Sequence, residues 1–295
     1  MLSPVAIRLG AHISSAGGVD QAAERAHALG CQTLQIFTAS PRQWHAAPLP
    51  AARAAALRRL RQQYRLDPLV VHANYLINLA GANPDFHRRS LAAFRGELER
   101  AAAIGADYLV LHPGSGALAR CLESLRQAAE GFVWGPLTLL IENTAGGGAH
   151  LGGDFGAVAA LLDGLAGLPV GACIDTCHAW VAGYDLATPK GYQAALAQLD
   201  EQIGLARIPV FHANDAMAER GSHRDRHQHI GAGQLGRATF RRLLRDPRLQ
   251  GKAFILETPV DGPDDQARDL AALRHLAQAP ASTRKRRKSA QNKAQ

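Results

Sequence analysis

The chain contains eight short apolar runs, each followed by a stretch of helical character, and seven of the eight runs end on a histidine or a carboxylate. The runs begin near residues 6, 33, 68, 107, 137, 170, 208 and 253. Alternation of strand and helix predicts a parallel sheet. Because buried parallel strands are normally apolar throughout, the polar residues at their ends require a functional explanation.

The spacing of the runs favours closure of the sheet into a barrel. Units of 27 to 45 residues suit a strand, a loop, a helix and a return loop, and the 295 residues exceed the roughly 250 that a (β/α)8 barrel needs. We predict an α/β protein with one TIM-barrel domain over residues 1–280 and an active site at the carboxyl ends of the strands. An open α/β sheet is the alternative. Helices are predicted at Val19–Leu29, Pro50–Tyr64, His87–Ile104, Ala119–Phe132, Phe155–Leu162, Pro189–Ile203, Ala238–Leu244 and Asp264–Ala277.

The net charge of +8 is concentrated at the end of the chain. Six of the 33 basic residues and no acidic residue lie in 281–295, which leaves 27 basic against 25 acidic residues in the remainder. We expect this segment to be a solvated, disordered tail, which beside a nucleic-acid enzyme would add affinity for phosphates.

The four cysteines form no disulfide framework and no Cys-x-x-Cys pair. This pattern predicts a reduced, cytoplasmic protein. The first residues lack the signature of a secretion signal, and no apolar span of 18 residues occurs, so membrane insertion is not expected.

Histidine and carboxylate side chains recur at the predicted barrel rim. Nine of them are candidate ligands: His72, His112, Glu142, Asp175, His178, His212, Asp225, His227 and Glu257. Imidazole and carboxylate are ligands of zinc and similar divalent ions, and a zinc ion takes about four ligands. Nine side chains therefore indicate two or three metals with a bridging carboxylate, an arrangement that suits phosphoester displacement.

Several local motifs carry a family resemblance: His72–Asn78, Leu111–Ser115, Ile141–Gly146, Ile174–Ala179, Ala182–Leu186, His212–Asp215 and Asp225–His227. Together they resemble the endonuclease IV family of zinc-dependent apurinic/apyrimidinic endonucleases, over residues 7 to 278. The resemblance implies a TIM barrel with three zinc ions. It also implies a substrate, duplex DNA that contains abasic sites.

The resemblance divides the nine side chains among the zinc ions: the first with His72, His112 and the bridging Glu142; the second with Glu142, Asp175, His212 and Glu257; the third with His178, Asp225 and His227. It gives Glu142 the catalytic role of bridging, and we expect Glu257 to orient the attacking hydroxide. His12 ends the first strand without being a family ligand. We expect it to support a ligand or to contact phosphate.

The resemblance implies cleavage of the phosphodiester 5′ to an abasic site, which leaves a 3′-hydroxyl and a 5′-deoxyribose phosphate, with trimming of blocked 3′ ends as a further activity. It places Arg42, Tyr75 and Leu76 at positions that insert into the duplex, where a missing base lowers the free energy needed to kink the DNA. Without the resemblance, a solvated loop charge and a packed barrel rim would be the simpler interpretation.

Two other functions compete with the nuclease. A divalent-metal sugar isomerase or epimerase on the same barrel would need only Glu142, Asp175, His212 and Glu257, so the five other ligands count against it. A non-catalytic protein that binds DNA through its basic tail is the second alternative. For the nuclease we expect a monomer without an obligate protein partner.

Overall fold

Eight parallel strands close into a barrel in the computed structural model, which describes residues 7–278. Consecutive barrel strands pair in parallel, and the last one pairs with the first to close the ring. The barrel strands are β1 (Arg8–His12), β2 (Thr33–Ile36), β3 (Leu69–His72), β4 (Tyr108–Leu111), β5 (Thr138–Glu142), β6 (Val170–Asp175), β7 (Val210–His212) and β10 (Ala253–Leu256). The TIM-barrel prediction is confirmed, and the basic segment 281–295 lies outside the described residues.

Helices follow the strands and pack around the ring. They are α1 (Val19–Ala28), α2 (Ala51–Tyr64), α3 (Pro84–Ile104), α4 (Leu118–Ala129), α5 (Phe155–Gly164), α6 (Thr176–Ala182), α7 (Pro189–Gln202), α8 (Gly236–Arg245) and α9 (Asp265–Ala277). Within residues 7–278, none of the helices has the length and apolar character needed to cross a bilayer.

The barrel interior is filled by apolar side chains below the level at which the strands end. This inner layer consists of Val70, Val110, Leu140, Cys173, Val210, Ala253 and Ile255. A larger apolar layer joins the outside of the barrel to the helices. Because the interior is packed, the polar side chains at the strand ends lie on a rigid apolar layer.

Two elements differ from the sequence prediction. Helix α6 continues directly from β6, because the Asp175 carboxylate accepts a hydrogen bond from the His178 backbone N–H at 2.8 Å and so caps the new helix. The long loop after β7 contains an antiparallel ribbon of β8 (Asp215–Ala216) and β9 (His227–Gln228). Strands of two residues leave no periodic signal in a sequence.

The observed ends of helices α3 and α4 differ from the predicted ends because of capping and turn residues next to them. Helix α3 begins at Pro84 rather than at the predicted His87, because the Asn83 side chain caps its first turn and proline suits the first helical position. Helix α4 ends at Ala129 rather than at Phe132, before Gly131, whose φ of 62° belongs to the left-handed region.

Candidate metal centre

The predicted ligands converge at the carboxyl ends of the barrel strands. In the part of the chain that the structure describes, four groups bring ligand atoms within 4.8 Å of one another: His72, His112 and Glu142; Glu142, Asp175, His212 and Glu257; His178, Asp225 and His227; Asp175, Cys177 and His227. The first three groups together contain all nine predicted side chains. Cys177 was not predicted as a candidate ligand, and its thiol lies 3.6 Å from the carbonyl of Arg226.

Glu142 occupies the middle of the site and is fully buried. Its Oε2 lies 3.2 Å from Nε2 of His72 and 3.3 Å from Nε2 of His112. Its Oε1 faces the other way and lies 2.9 Å from Nδ1 of His212. Each oxygen of this one carboxylate therefore serves a different group of histidines.

The third group lies beside the second and opens toward solvent. Asp225, whose side chain is 52% exposed, places one oxygen 3.2 Å from Nε2 of His178 and the other 3.3 Å from Nε2 of His227. Asp175 Oδ2 lies 3.6 Å from the same His227 nitrogen. That nitrogen is buried and has no hydrogen-bond partner among the described residues. A buried polar atom without a partner is costly, and a ligand absent from the structure would satisfy it.

The histidine rings are oriented by acceptors behind them. Three rings donate Nδ1–H to backbone carbonyls: His72 to Ala73 at 2.8 Å, His178 to Asn143 at 2.9 Å and His227 to Glu257 at 3.0 Å. A carbonyl only accepts, so Nδ1 of each ring carries a proton and Nε2 is the nitrogen left to face the site. This is the arrangement by which proteins prepare imidazoles for metal binding.

The imidazole and carboxylate groups of the site shift one another's pKa values. Burial opposes a charge on His178, but Asp175, Asp225 and Glu142 outweigh it and raise its pKa to about 10. Burial also opposes a charge on His227, but Asp175 and Asp225 outweigh this effect and raise its pKa to about 9. Burial lowers the pKa of His112 to about 4.

The carboxylates of the site remain ionised in spite of their burial. Burial opposes ionisation of Glu142, but the fields of His112 and His212 hold its pKa well below the usual range. Burial also opposes ionisation of Glu257, but its pKa is lowered, chiefly by His212. Ionised carboxylates beside imidazoles form a donor set that suits a divalent cation.

Three buried amide side chains support the ligands, and the sequence analysis did not identify them. Asn143 Oδ1 accepts from the Asp175 backbone N–H at 2.7 Å. Asn214 Nδ2 donates to Asp175 Oδ2 at 2.6 Å, and its Oδ1 accepts from the Glu257 backbone N–H at 2.8 Å. The third is Gln35, which contacts Glu257 and His212. The available signal was an amide residue within or directly after a buried apolar run.

The three residues predicted to insert into DNA lie at the rim of the site. Arg42 is exposed, Tyr75 is 59% exposed and Leu76 is half-buried. Asn74 joins their two loops, because its Nδ2 donates to the carbonyls of Ser40 and Gln43 and its Oδ1 accepts from the Leu76 backbone N–H. A cavity of about 390 Å³ lies beside Tyr75 and is lined also by His112, His178 and Asp225.

His12 lies behind the second group, where the sequence analysis expected a supporting role or a phosphate contact. Its Nδ1 is 3.0 Å from Nε2 of Gln35 and 3.4 Å from Oε1 of Glu257. The ring also lines a groove of about 770 Å³ together with Phe37 and Gln43. His12 thus contacts a candidate ligand rather than joining the candidate ligands.

Comparison with known proteins identifies the family. A family model described as "Xylose isomerase-like TIM barrel" matches residues 23–278. The chain is 47% identical to "Probable endonuclease 4" of Solibacter usitatus over 281 residues, which cover 92% of this chain and 97% of that protein. The crystal structure of endonuclease IV from Thermus thermophilus superposes with a TM-score of 0.85 at 42% identity, covering 91% of this chain and 98% of that one.

A D-tagatose 3-epimerase-like protein shares the fold, with a TM-score of 0.66 at 19% identity over 92% of this chain and 97% of that one. At that identity the likeness concerns the fold alone, so it does not support the isomerase alternative. The relatives named endonuclease match at more than twice that identity over almost their whole length. We conclude that the chain belongs to the endonuclease IV family and is an endonuclease, as its sequence predicted.

Proposed function

We propose that this enzyme hydrolyses the phosphodiester 5′ to abasic sites in duplex DNA with a centre of three zinc ions. The products are a 3′-hydroxyl and a 5′-deoxyribose phosphate. The observation that carries the proposal is the position of Glu142, whose two oxygens face separate groups of histidines. A carboxylate shared in this way is suited to bridging two cations, and paired cations clamp both oxygens of an in-line displacement at phosphorus.

The donor set fits zinc. It contains five imidazoles and four carboxylates, the ligand types that zinc shares with few other abundant ions. The unpartnered Nε2 of His227 and the carbonyl-anchored rings of His72 and His178 support metal binding independently of any relative.

We assign the zinc ions to three of the four groups of neighbouring ligand atoms: the first to His72, His112 and Glu142; the second to Glu142, Asp175, His212 and Glu257; the third to His178, Asp225 and His227. Bound there, zinc would lower the pKa of water and stabilise negative charge on the attacking and leaving oxygens. Because of this, no separate strong acid is needed among the side chains.

The side chains of the centre have distinct tasks. Glu142 holds two groups together. Glu257 directs Oε2 into the centre, 3.2 Å from Nδ1 of His212, and would there orient the attacking hydroxide. Asp225 is the most exposed candidate ligand, and a metal ion held by the third group would stabilise the charge on the leaving 3′-oxygen.

Recognition of the lesion rests on Arg42, Tyr75 and Leu76. Tyr75 presents an exposed aromatic ring at the barrel rim, and this ring would fill the gap beside a missing base. Its ring packs edge-on against Phe37 at 5.2 Å, which stiffens it for insertion. We expect the same centre to trim blocked 3′ ends as a further activity.

We further propose that the enzyme acts in the cytoplasm as a monomer and needs no obligate protein partner. All nine candidate ligands come from one chain. The four cysteines are free and buried, in keeping with a reducing compartment.

The test is incision of an end-labelled duplex that carries one tetrahydrofuran analogue of an abasic site. The analogue blocks β-elimination, so only hydrolysis cuts it. We expect a single cut 5′ to the lesion, no cut in the intact duplex, and none with the Glu142→Ala variant. A zinc-loaded wild-type enzyme that leaves the lesion strand whole would refute the proposal, and sugar isomerisation would then be assayed.

A further inference from the structure

Strand β2 is the one barrel strand that does not end on, or directly before, a histidine or a carboxylate, yet it places a polar side chain under the metal centre. Gln35 is fully buried within Thr33–Ile36 and points into the cluster. Its Nε2 donates to Oε1 of Glu257 at 2.5 Å and lies 3.0 Å from Nδ1 of His12. Its Oε1 lies 2.8 Å from Nε2 of His212.

The direction of each hydrogen bond follows from chemistry. An ionised carboxylate only accepts, so the amide nitrogen of Gln35 must face Glu257. The amide oxygen then faces His212, and this oxygen also only accepts. His212 must therefore carry a proton on Nε2, which leaves Nδ1 to face the metal centre. This order is the reverse of the order in His72, His178 and His227, which bond behind the site through Nδ1.

The support of His212 also differs in kind. The other three rings are held by backbone carbonyls, which no substitution removes. His212 is held by a side chain, and the same side chain holds Glu257. With both in place, Nδ1 of His212 and Oε2 of Glu257 lie 3.2 Å apart and face the same space.

We propose that Gln35 is a positioning residue that fixes the tautomer of His212 and the orientation of Glu257, and thereby sets the metal affinity of the second site. This inference rests on the proposed zinc centre. Supporting hydrogen bonds of this kind are typically worth about 10- to 100-fold in metal affinity. The hydrogen bonds of Gln35 to ligands reach only the second group, so the affinities of the first and third groups are expected to stay unchanged.

The test compares Gln35→Met with Gln32→Met by competition with a zinc chelator. Methionine is similar to glutamine in length but offers no strong hydrogen bond. Gln32 lies just before the opposite end of the same strand, where its side chain accepts from the Leu9 backbone N–H. We expect Gln35→Met to lose one zinc ion at a chelator concentration about 10- to 100-fold lower than wild type. Excess zinc should restore its incision activity, which it could not do for a general packing defect.

A Gln35→Met enzyme that loses its zinc only at the chelator concentration at which the wild type loses it would overturn the proposal while leaving the nuclease function intact. A wild type that binds no zinc would instead refute the proposed function. Should the variant fail to fold, histidine-selective ¹⁵N spectra of the zinc-loaded wild type decide the matter. We expect the His212 ring to carry its proton on Nε2, and a proton on Nδ1 would contradict the inference.

Discussion

Glu142 and His212 lie fully buried at the centre of the site, with Oε1 of the carboxylate 2.9 Å from Nδ1 of the imidazole. The other oxygen of Glu142 is turned toward His72 and His112. Because one side chain joins two groups, we expect its loss to affect both of the metal ions proposed there. Glu142 is not a member of the third group, although its Oε1 lies 3.4 Å from Nδ1 of His178.

The Glu142→Gln variant should therefore lose two metals together. An amide has the shape of the carboxylate but lacks the charge that offsets the surrounding histidines. We expect zinc content to fall from about three per chain to about one, and incision to fall by at least about 100-fold. Elemental analysis and a lesion-incision assay measure both, with the exposed Glu123→Gln as control. A Glu142→Gln enzyme that keeps its full zinc complement would contradict the bridging role.

Zinc binding at pH 8 should release protons from the third group. The pKa of His178 is raised to about 10 and that of His227 to about 9, so both rings are protonated at pH 8 in the metal-free protein. Zinc needs the neutral rings, so roughly two protons should leave for each zinc bound there. Calorimetry in buffers of different ionisation enthalpy counts them. Release of no protons at pH 8 would show that the rings are already neutral.

Asp215 should stabilise the folded conformation of the loop that carries Asp225 and His227. Its buried carboxylate accepts from five backbone N–H groups, those of Ala216, Gly231, Gly233, Leu235 and Gly236. Asp215→Ala leaves these donors without an acceptor and should reduce the free energy of unfolding by at least about 3 kcal/mol. Urea denaturation measures this loss. In the Asp215→Ala variant, hydrogen exchange should become faster in residues 214–236 than in the barrel strands. An equal increase in exchange throughout the protein would argue against a local role of Asp215.

Asn74 should couple the loop of Arg42 to the loop of Tyr75. Asn74→Ala removes the hydrogen bonds to Ser40 and Gln43, so we expect binding of lesion DNA to weaken by about 10-fold with zinc content unchanged. The same substitution in a Tyr75→Ala background should cost much less, because the residue that it positions is already gone. Equal losses in both backgrounds would mean that Asn74 acts independently of Tyr75.

Deleting residues 281–295 should change how binding responds to salt rather than abolish catalysis. The segment carries six basic residues, so its removal should reduce the slope of log affinity against log salt by between about 1 and 5. Incision at saturating DNA should remain near the wild-type rate. Complete loss of incision on deletion would favour the alternative in which the tail is the main DNA-binding element.

The sequence predicted the barrel and the strand-end polar residues because both depend on local patterns. Apolar runs of regular spacing report strands, and a histidine that ends such a run is visible without knowing the fold. The amides that support the ligands could not be assigned in this way. Gln35 is 222 residues from Glu257 in sequence, and only barrel closure brings the two side chains within hydrogen-bond distance.

Local structure at the rim was also beyond the sequence pattern. Helix α6 begins without a loop because the last residue of β6 is itself the helix cap. The β8–β9 ribbon depends on Asp215, whose donors come mainly from residues 231–236. A residue shared by two elements and a set of hydrogen bonds across a long loop both leave the periodicity of the chain unchanged, so neither could be predicted from it.

The most direct measurement is stepwise reconstitution of the metal-free enzyme with zinc, with incision of the tetrahydrofuran duplex followed at each step. A centre in which Glu142 links two groups and Asp225 completes a third predicts little activity until about three equivalents of zinc are bound. Full incision after one equivalent, or incision that is independent of zinc, would contradict the trinuclear centre.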